Sequence, residues 1–137
     1  MTGIVVCVAV LVAASAFGVL QRRRSGRVRV RGRDDGKRLG VAELGEDLGA
    51  RATLVQFSSA FCAPCRATRR VLGEVAGMVP GVAHIEIDAE ARLDLVRALG
   101  ILKTPTVLVL DADGRVVRRA TGQPRKADVV AALGEAV

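Results

Sequence analysis

Two cysteines three positions apart, Cys62 and Cys65, stand where a strand-like stretch gives way to a helix-like one. Thr53 to Phe57 (TLVQF) reads as a strand. Cys62 to Met78 reads as a helix, with Val71, Leu72, Val75 and Met78 apolar and Arg66, Arg69, Arg70 and Glu74 polar, until Pro80-Gly81 breaks it. The alternation continues. Val41 to Leu48 reads as a short helix, His84 to Asp88 as a strand, and Arg92 to Leu99 as a helix ended by Gly100. Thr106 to Leu110 is a continuous apolar strand of the fully buried kind. Asp111 to Gly114 is a hairpin turn, Val116 to Thr121 its returning strand, and Lys126 to Ala136 a last helix. The order α-β-α-β-α-β-β-α predicts an α/β fold, a central mixed sheet flanked by helices. Helical crossovers imply parallel pairing, and the late hairpin adds an antiparallel edge.

The cysteine spacing has a chemical meaning. Cysteines three apart at a helix start lie on adjacent parts of one turn and can close a small disulfide ring. The first thiol sits beside unpaired N–H groups and the positive end of the helix dipole. That favours thiolate and lowers the thiol below its free value of about 8.5. Pro64 lacks an N–H and presets a helical φ, so it suits the first turn. Redox exchange is the reading this context supports. Two others stay open on the residues alone. A static structural disulfide would constrain little chain, and a zinc site would need four ligands where no second cysteine pair exists.

Composition removes several classes. Phe17, Phe57 and Phe61 are the only aromatic residues, so no stacking platform for single-stranded nucleic acid can be built. With one histidine, His84, a multi-histidine metal site is impossible. The formal net charge is +7. Residues 22–38 hold nine Lys/Arg against Asp34 and Asp35, while residues 39–137 hold twelve basic and twelve acidic side chains. The whole excess is therefore one short segment. A nucleic-acid binder would carry it on the folded domain, so no nucleic-acid partner is expected.

That basic segment follows an uncharged run, Gly3 to Leu20. As a helix it reaches about 27 Å, enough to cross a bilayer core. A cleavable signal peptide is the competitor, since Ala14-Ser15-Ala16 resembles a cleavage site. The start carries no Lys or Arg, however, and the apolar run continues through Phe17, Val19 and Leu20. Cys7 reads as a small apolar residue facing lipid or a neighbouring helix. Cytoplasmic flanks collect Lys and Arg. The expectation is a single-pass cell-membrane protein, anchored through residues 3–20, with its main domain cytoplasmic and Arg22 to Arg38 along the anionic inner leaflet. The opposite, extracytoplasmic placement is the alternative.

Phe61-Cys62-Ala63-Pro64-Cys65-Arg66, with Lys103-Thr104-Pro105-Thr106 forty residues on, resembles the thioredoxin family. Ile85-Glu86-Ile87-Asp88, Gly100-Ile101, Asp113-Gly114 and Gly122 fall where that family has counterparts, and the match covers roughly residues 38–137. The chain then divides into a transmembrane helix over 1–21, a basic juxtamembrane linker over 22–37 and a thioredoxin-like domain over 38–137. The resemblance implies a cis Thr104–Pro105 bond beside the cysteines, with Thr104 and Pro105 positioning an extended substrate. Phe61, where the family usually has Trp, and Ala63 would shape the apolar contact surface with Pro64. The family's buried Asp falls at Gln56, which cannot accept a proton near neutral pH. Its frequent Lys falls at His84, which would lie near Gln56. His84 reads first as a strand-end residue making ordinary contacts, and second as a substitute base.

The expected function is a membrane-tethered protein-disulfide reductase. Cys62 attacks, Cys65 resolves, and a Cys62–Cys65 disulfide remains. Its partners would be disulfide-containing proteins and an electron-donating reductase, with no cofactor and no metal. A non-catalytic thioredoxin-like adaptor using the same groove is the rival, and a thiol oxidase on the outer face would need the reversed topology.

Overall fold

Seven consecutive residues, Ala52–Ser58, form strand β2, an interior strand of the sheet, and every one of them is buried. This is a computed structural model, and it describes residues 1–24, 28–30 and 37–137. The remaining elements are helix α1 (Thr2–Arg24), strand β1 (Val28–Val30), helix α2 (Val41–Leu44), helix α3 (Ala63–Met78), strand β3 (Val82–Asp88), helix α4 (Leu93–Leu99), strands β4 (Thr106–Asp111) and β5 (Val116–Thr121), and helix α5 (Lys126–Ala136). The sheet order is β1-β5-β4-β2-β3.

Alternation along β2 sorts side chains to two faces. Val55 and Phe57 join Ile85, Ile87, Leu108 and Leu110 in a core completed by Leu44, Leu95 and Leu99. Ala52 and Leu54 join Val107 and Val109 on the other face, under Leu72 and Val75 of α3 and Val129, Ala132 and Leu133 of α5. Gln56 and Ser58 share the parity of Leu54, so they point toward α3. Among the described residues Phe57 is the only aromatic side chain in the core.

β2 and β3 pair in parallel across the α3 crossover. β4 runs antiparallel to β2, although a helix precedes it. The parallel pairing expected from alternation thus holds for one crossover only. The connection over 89–105 turns back at the end of the sheet that it leaves, so β4 starts at the end where β2 finishes, with Thr106 opposite Phe57. That places the 103–105 segment beside the start of α3.

α2 stops at Leu44, short of the expected Leu48, because Gly45 takes a left-handed conformation at φ 77°. Within the segment read as a linker over 22–37, Val28–Val30 pairs antiparallel with β5 as an edge strand, and residues 25–27 and 31–36 lie outside the described residues. α1 has one window, Thr2–Arg23, with mean hydropathy 2.7 and none of it buried, long and apolar enough to cross a membrane.

Candidate dithiol site

Cys62 is the N-cap of α3, with extended backbone, and Pro64 occupies the first turn. The Cys65 N–H donates to Cys62 Sγ at 3.2 Å. The two cysteines are joined as a disulfide with Cα atoms 5.2 Å apart. Cys65 is 1% exposed, whereas Cys62 is partly open and Ala63 and Pro64 are exposed. This asymmetry follows from the cap. The first sulfur lies at the mouth of the helix, and the second turns inward beneath it. The Thr68 hydroxyl donates to the Pro64 carbonyl at 2.8 Å and ties the first turn together.

The Thr104–Pro105 bond is cis. Thr104 Oγ1 lies 3.9 Å from Cys62 Sγ and 2.7 Å from Ser59 Oγ. The Gly122 N–H donates to the Pro105 carbonyl at 2.8 Å, so the start of the α5 approach is fixed to the same loop. Phe61 has φ 58°, the only positive φ at a non-glycine among the described residues, and its ring is fully exposed. Leu102, which the sequence does not single out, is 96% exposed nearby in the chain.

Gln56 is wholly buried, and its amide is fully used. Nε2 donates to Ser58 Oγ at 2.9 Å and to the Cys65 carbonyl at 2.8 Å. Oε1 is then the acceptor for His84 Nε2, 3.1 Å away. The structure thus brings Gln56 and His84 together, directly behind Cys65. Both amide hydrogens are committed, so His84 must carry its proton on Nε2. Half-buried His84 is pushed below its ordinary value by burial; the Glu86 and Glu46 carboxylates pull it up and Arg69 pulls it down. Glu86 is itself clamped by Arg69, with Nε and Nη2 donating at 2.5 and 2.6 Å. Ser58, Ser59 and Arg69 were not legible as site residues. The one available signal was the i, i+2 spacing of Gln56 and Ser58 on a strand.

A capped dithiol at a helix N-terminus, packed beside a cis proline, defines a site for thiol–disulfide exchange. The family pattern described as Thioredoxin matches residues 42–135. Thioredoxin from Mycolicibacterium smegmatis is 32% identical over 91 residues, covering 64% of this chain and 80% of that protein. Thioredoxin from Chlamydia muridarum is 29% identical over 85 residues, covering 62% and 82%. A solved thioredoxin variant from Halobacterium salinarum matches with TM-score 0.59 at 22% identity, covering 78% of this chain and 87% of that one. The reduced thioredoxin pre-protein of Schistosoma mansoni matches with TM-score 0.56 at 18% identity, covering 65% and 82%. The chain belongs to the thioredoxin family and is a thiol–disulfide oxidoreductase.

Proposed function

We propose that the chain is a protein-disulfide reductase tethered to a membrane by α1, with Cys62 as nucleophile and Cys65 as resolving thiol. The observation that carries the assignment is the unequal exposure of the two sulfurs, one at the helix mouth and one buried. In the reduced form, the Cys65 N–H and the helix dipole favour negative charge at Cys62 Sγ. The Cys62 thiolate attacks one sulfur of a substrate disulfide. A mixed disulfide forms, and the other substrate sulfur leaves as thiolate. Cys65 then loses its proton and attacks Cys62 Sγ. The second substrate sulfur departs, the substrate has gained two electrons, and Cys62–Cys65 is the oxidised product. A reductase partner supplies the next electron pair.

Thr104 and Pro105 position the substrate backbone, and Phe61, Ala63 and Pro64 form the apolar rim it rests on. Gln56 holds the Cys65 carbonyl from behind and is kept in that orientation by His84. His84 is a positioning residue in this reading, because its Nε2 is already a donor and an amide cannot pass a proton on. The proton of Cys65 goes to water. The charge step after α1 supports a cytoplasmic position for the thioredoxin-like domain.

Cys65→Ser should accumulate substrates covalently bound to Cys62, visible as reductant-sensitive adducts on non-reducing gels. If Cys62→Ser traps partners and Cys65→Ser does not, the roles are reversed.

A further inference from the structure

A groove starts beside the dithiol, at Pro64, and runs along the cis proline to the start of α5. Pro64, Thr104 and Pro105 form its near end, and Gly122 to Lys126 form its far end. Its floor is apolar or neutral. Its charge is one-sided. Arg22 from the end of α1 lines it together with Lys103, Arg125 and Lys126, and no acidic side chain does so among the described residues. Asp128, the acid in the first turn of α5, lies outside the lining. Lys126 is already engaged by Glu74 on α3, at 3.3 Å. Lys103 and Arg125, both exposed, carry the argument. The concentration of cations is local, because residues 39–137 are balanced, with twelve charges of each sign.

We infer that this groove selects disulfide-bearing protein segments with carboxylates a few residues from the attacked cysteine. The inference rests on the reductase reading and names its substrate class. The geometry sets the spacing. A substrate sulfur must meet Cys62 Sγ, and Thr104 Oγ1 lies 3.9 Å from that atom. From there an extended chain advances about 3.3–3.6 Å per residue. Its backbone crosses Thr104 and Pro105, and the following side chains reach the cationic end. Opposite charges there speed the encounter and fix the direction in which the segment lies, while an Arg- or Lys-rich segment is repelled. A partially exposed groove keeps this effect sensitive to salt.

The test uses the reduced full-length chain in detergent micelles and two self-quenched fluorescent cystine peptides. They differ only in carrying Glu or Lys at the positions flanking the cysteine. Hydroxyethyl disulfide, small and neutral, is the third substrate. At low ionic strength the Glu peptide should be reduced at least roughly tenfold faster than the Lys peptide, the lower end of what complementary charge does to association. Molar salt should erase most of that ratio. The ratio should also collapse toward one in Lys103→Gln/Arg125→Gln. Should that double variant fold poorly, the single charge reversals Lys103→Glu and Arg125→Glu, together with the salt dependence of the parent, decide the matter. Equal rates for both peptides in the parent overturn the inference and leave the reductase reading intact. A preference that survives unchanged in the groove variants also overturns it, since the charge responsible then lies elsewhere. Failure to reduce even hydroxyethyl disulfide sinks the reductase reading itself.

Discussion

Gln56 is the position at which chemistry and stability pull in different directions. As an amide it satisfies three neighbours at once, Ser58, the Cys65 carbonyl and His84. Leaving such buried groups unpaired costs about 1–3 kcal/mol each. The amide cannot change charge, so it offers no help when Cys65 must lose a proton. Gln56→Glu is close to isosteric and restores an ionisable group. It should speed resolution of the mixed disulfide near neutral pH by roughly tenfold or more, against the 10²- to 10⁴-fold typical of well-placed general bases. It should also lower stability, because a carboxylate facing the Cys65 carbonyl is buried with a poor partner. Single-turnover reduction of a model disulfide across pH 6–9 measures the first effect and denaturant titration the second. An unchanged rate in a folded variant would mean that proton removal at Cys65 does not limit the reaction. The cysteines themselves were legible from spacing, because their relation is contained within one helical turn. The contact of Gln56 with His84 depends on the β2–β3 register, in which Leu54 stands opposite His84 and Gln56 opposite Glu86. Spacing along the chain carries no such information, and the resemblance to a family supplied what hint there was.

Elements show the same division between local and long-range causes. α3, β4, β5 and α5 follow their periodicity closely. β2 and β3 each extend beyond the segments their apolar patterns suggest, because ladder pairing carries the strand on through Ser58 and back to Val82. The direction of β4 depends on where the connection over 89–105 turns, which periodicity does not encode, and β1 has three residues in an Arg-rich stretch, too few to show a period. β3 and α3 are coupled at the sheet edge. Arg69 on α3 clamps Glu86 on β3, and His84 sits beside that pair with its proton directed at Gln56. Glu86, Glu46 and Arg69 are the charged groups that act on it, and burial outweighs them to leave His84 below its ordinary value. Above about pH 6.5 the histidine is neutral in folded and unfolded chains and contributes nothing to pH dependence. Below that, the unfolded chain takes up a proton more readily than the folded one. Stability must therefore fall as pH drops through about 6.5. His84→Gln keeps a donor for Gln56 and removes the titration. Denaturation free energies at pH 7.5 and 5.5 should differ more in the parent than in this variant. Equal differences would show that His84 does not couple α3 and β3 to pH.

The molecule as a whole is asymmetric in charge, and that asymmetry sets its expected place at the membrane. α1 is apolar over Gly3 to Leu20, and nine Lys/Arg occupy residues 22–38 while none precedes the span. Positive residues within about 15–20 positions of a span end resist translocation, and acidic residues count for little. The anionic inner leaflet adds about 1 kcal/mol per Lys or Arg near its surface. Both effects act in one direction, and with α1 as a span the proposed topology would leave the dithiol in the reducing compartment. There a Cys62–Cys65 pair is recycled by reductase partners and works as a donor of electrons; outside, the same pair would be kept oxidised and would work as an acceptor. A reporter active only in the cytoplasm, fused after Val137, should therefore give signal. Replacing Arg22, Arg23 and Arg24 with Glu turns three positive charges at the boundary negative and leaves six Lys/Arg in the segment. That variant should give mixed orientation, read as a loss of cytoplasmic signal and a gain from a reporter active only outside. A silent cytoplasmic reporter on the unmodified chain, with full-length protein present in the membrane fraction, would reverse the topology. A soluble product shortened at its N-terminus would instead identify α1 as a cleaved leader.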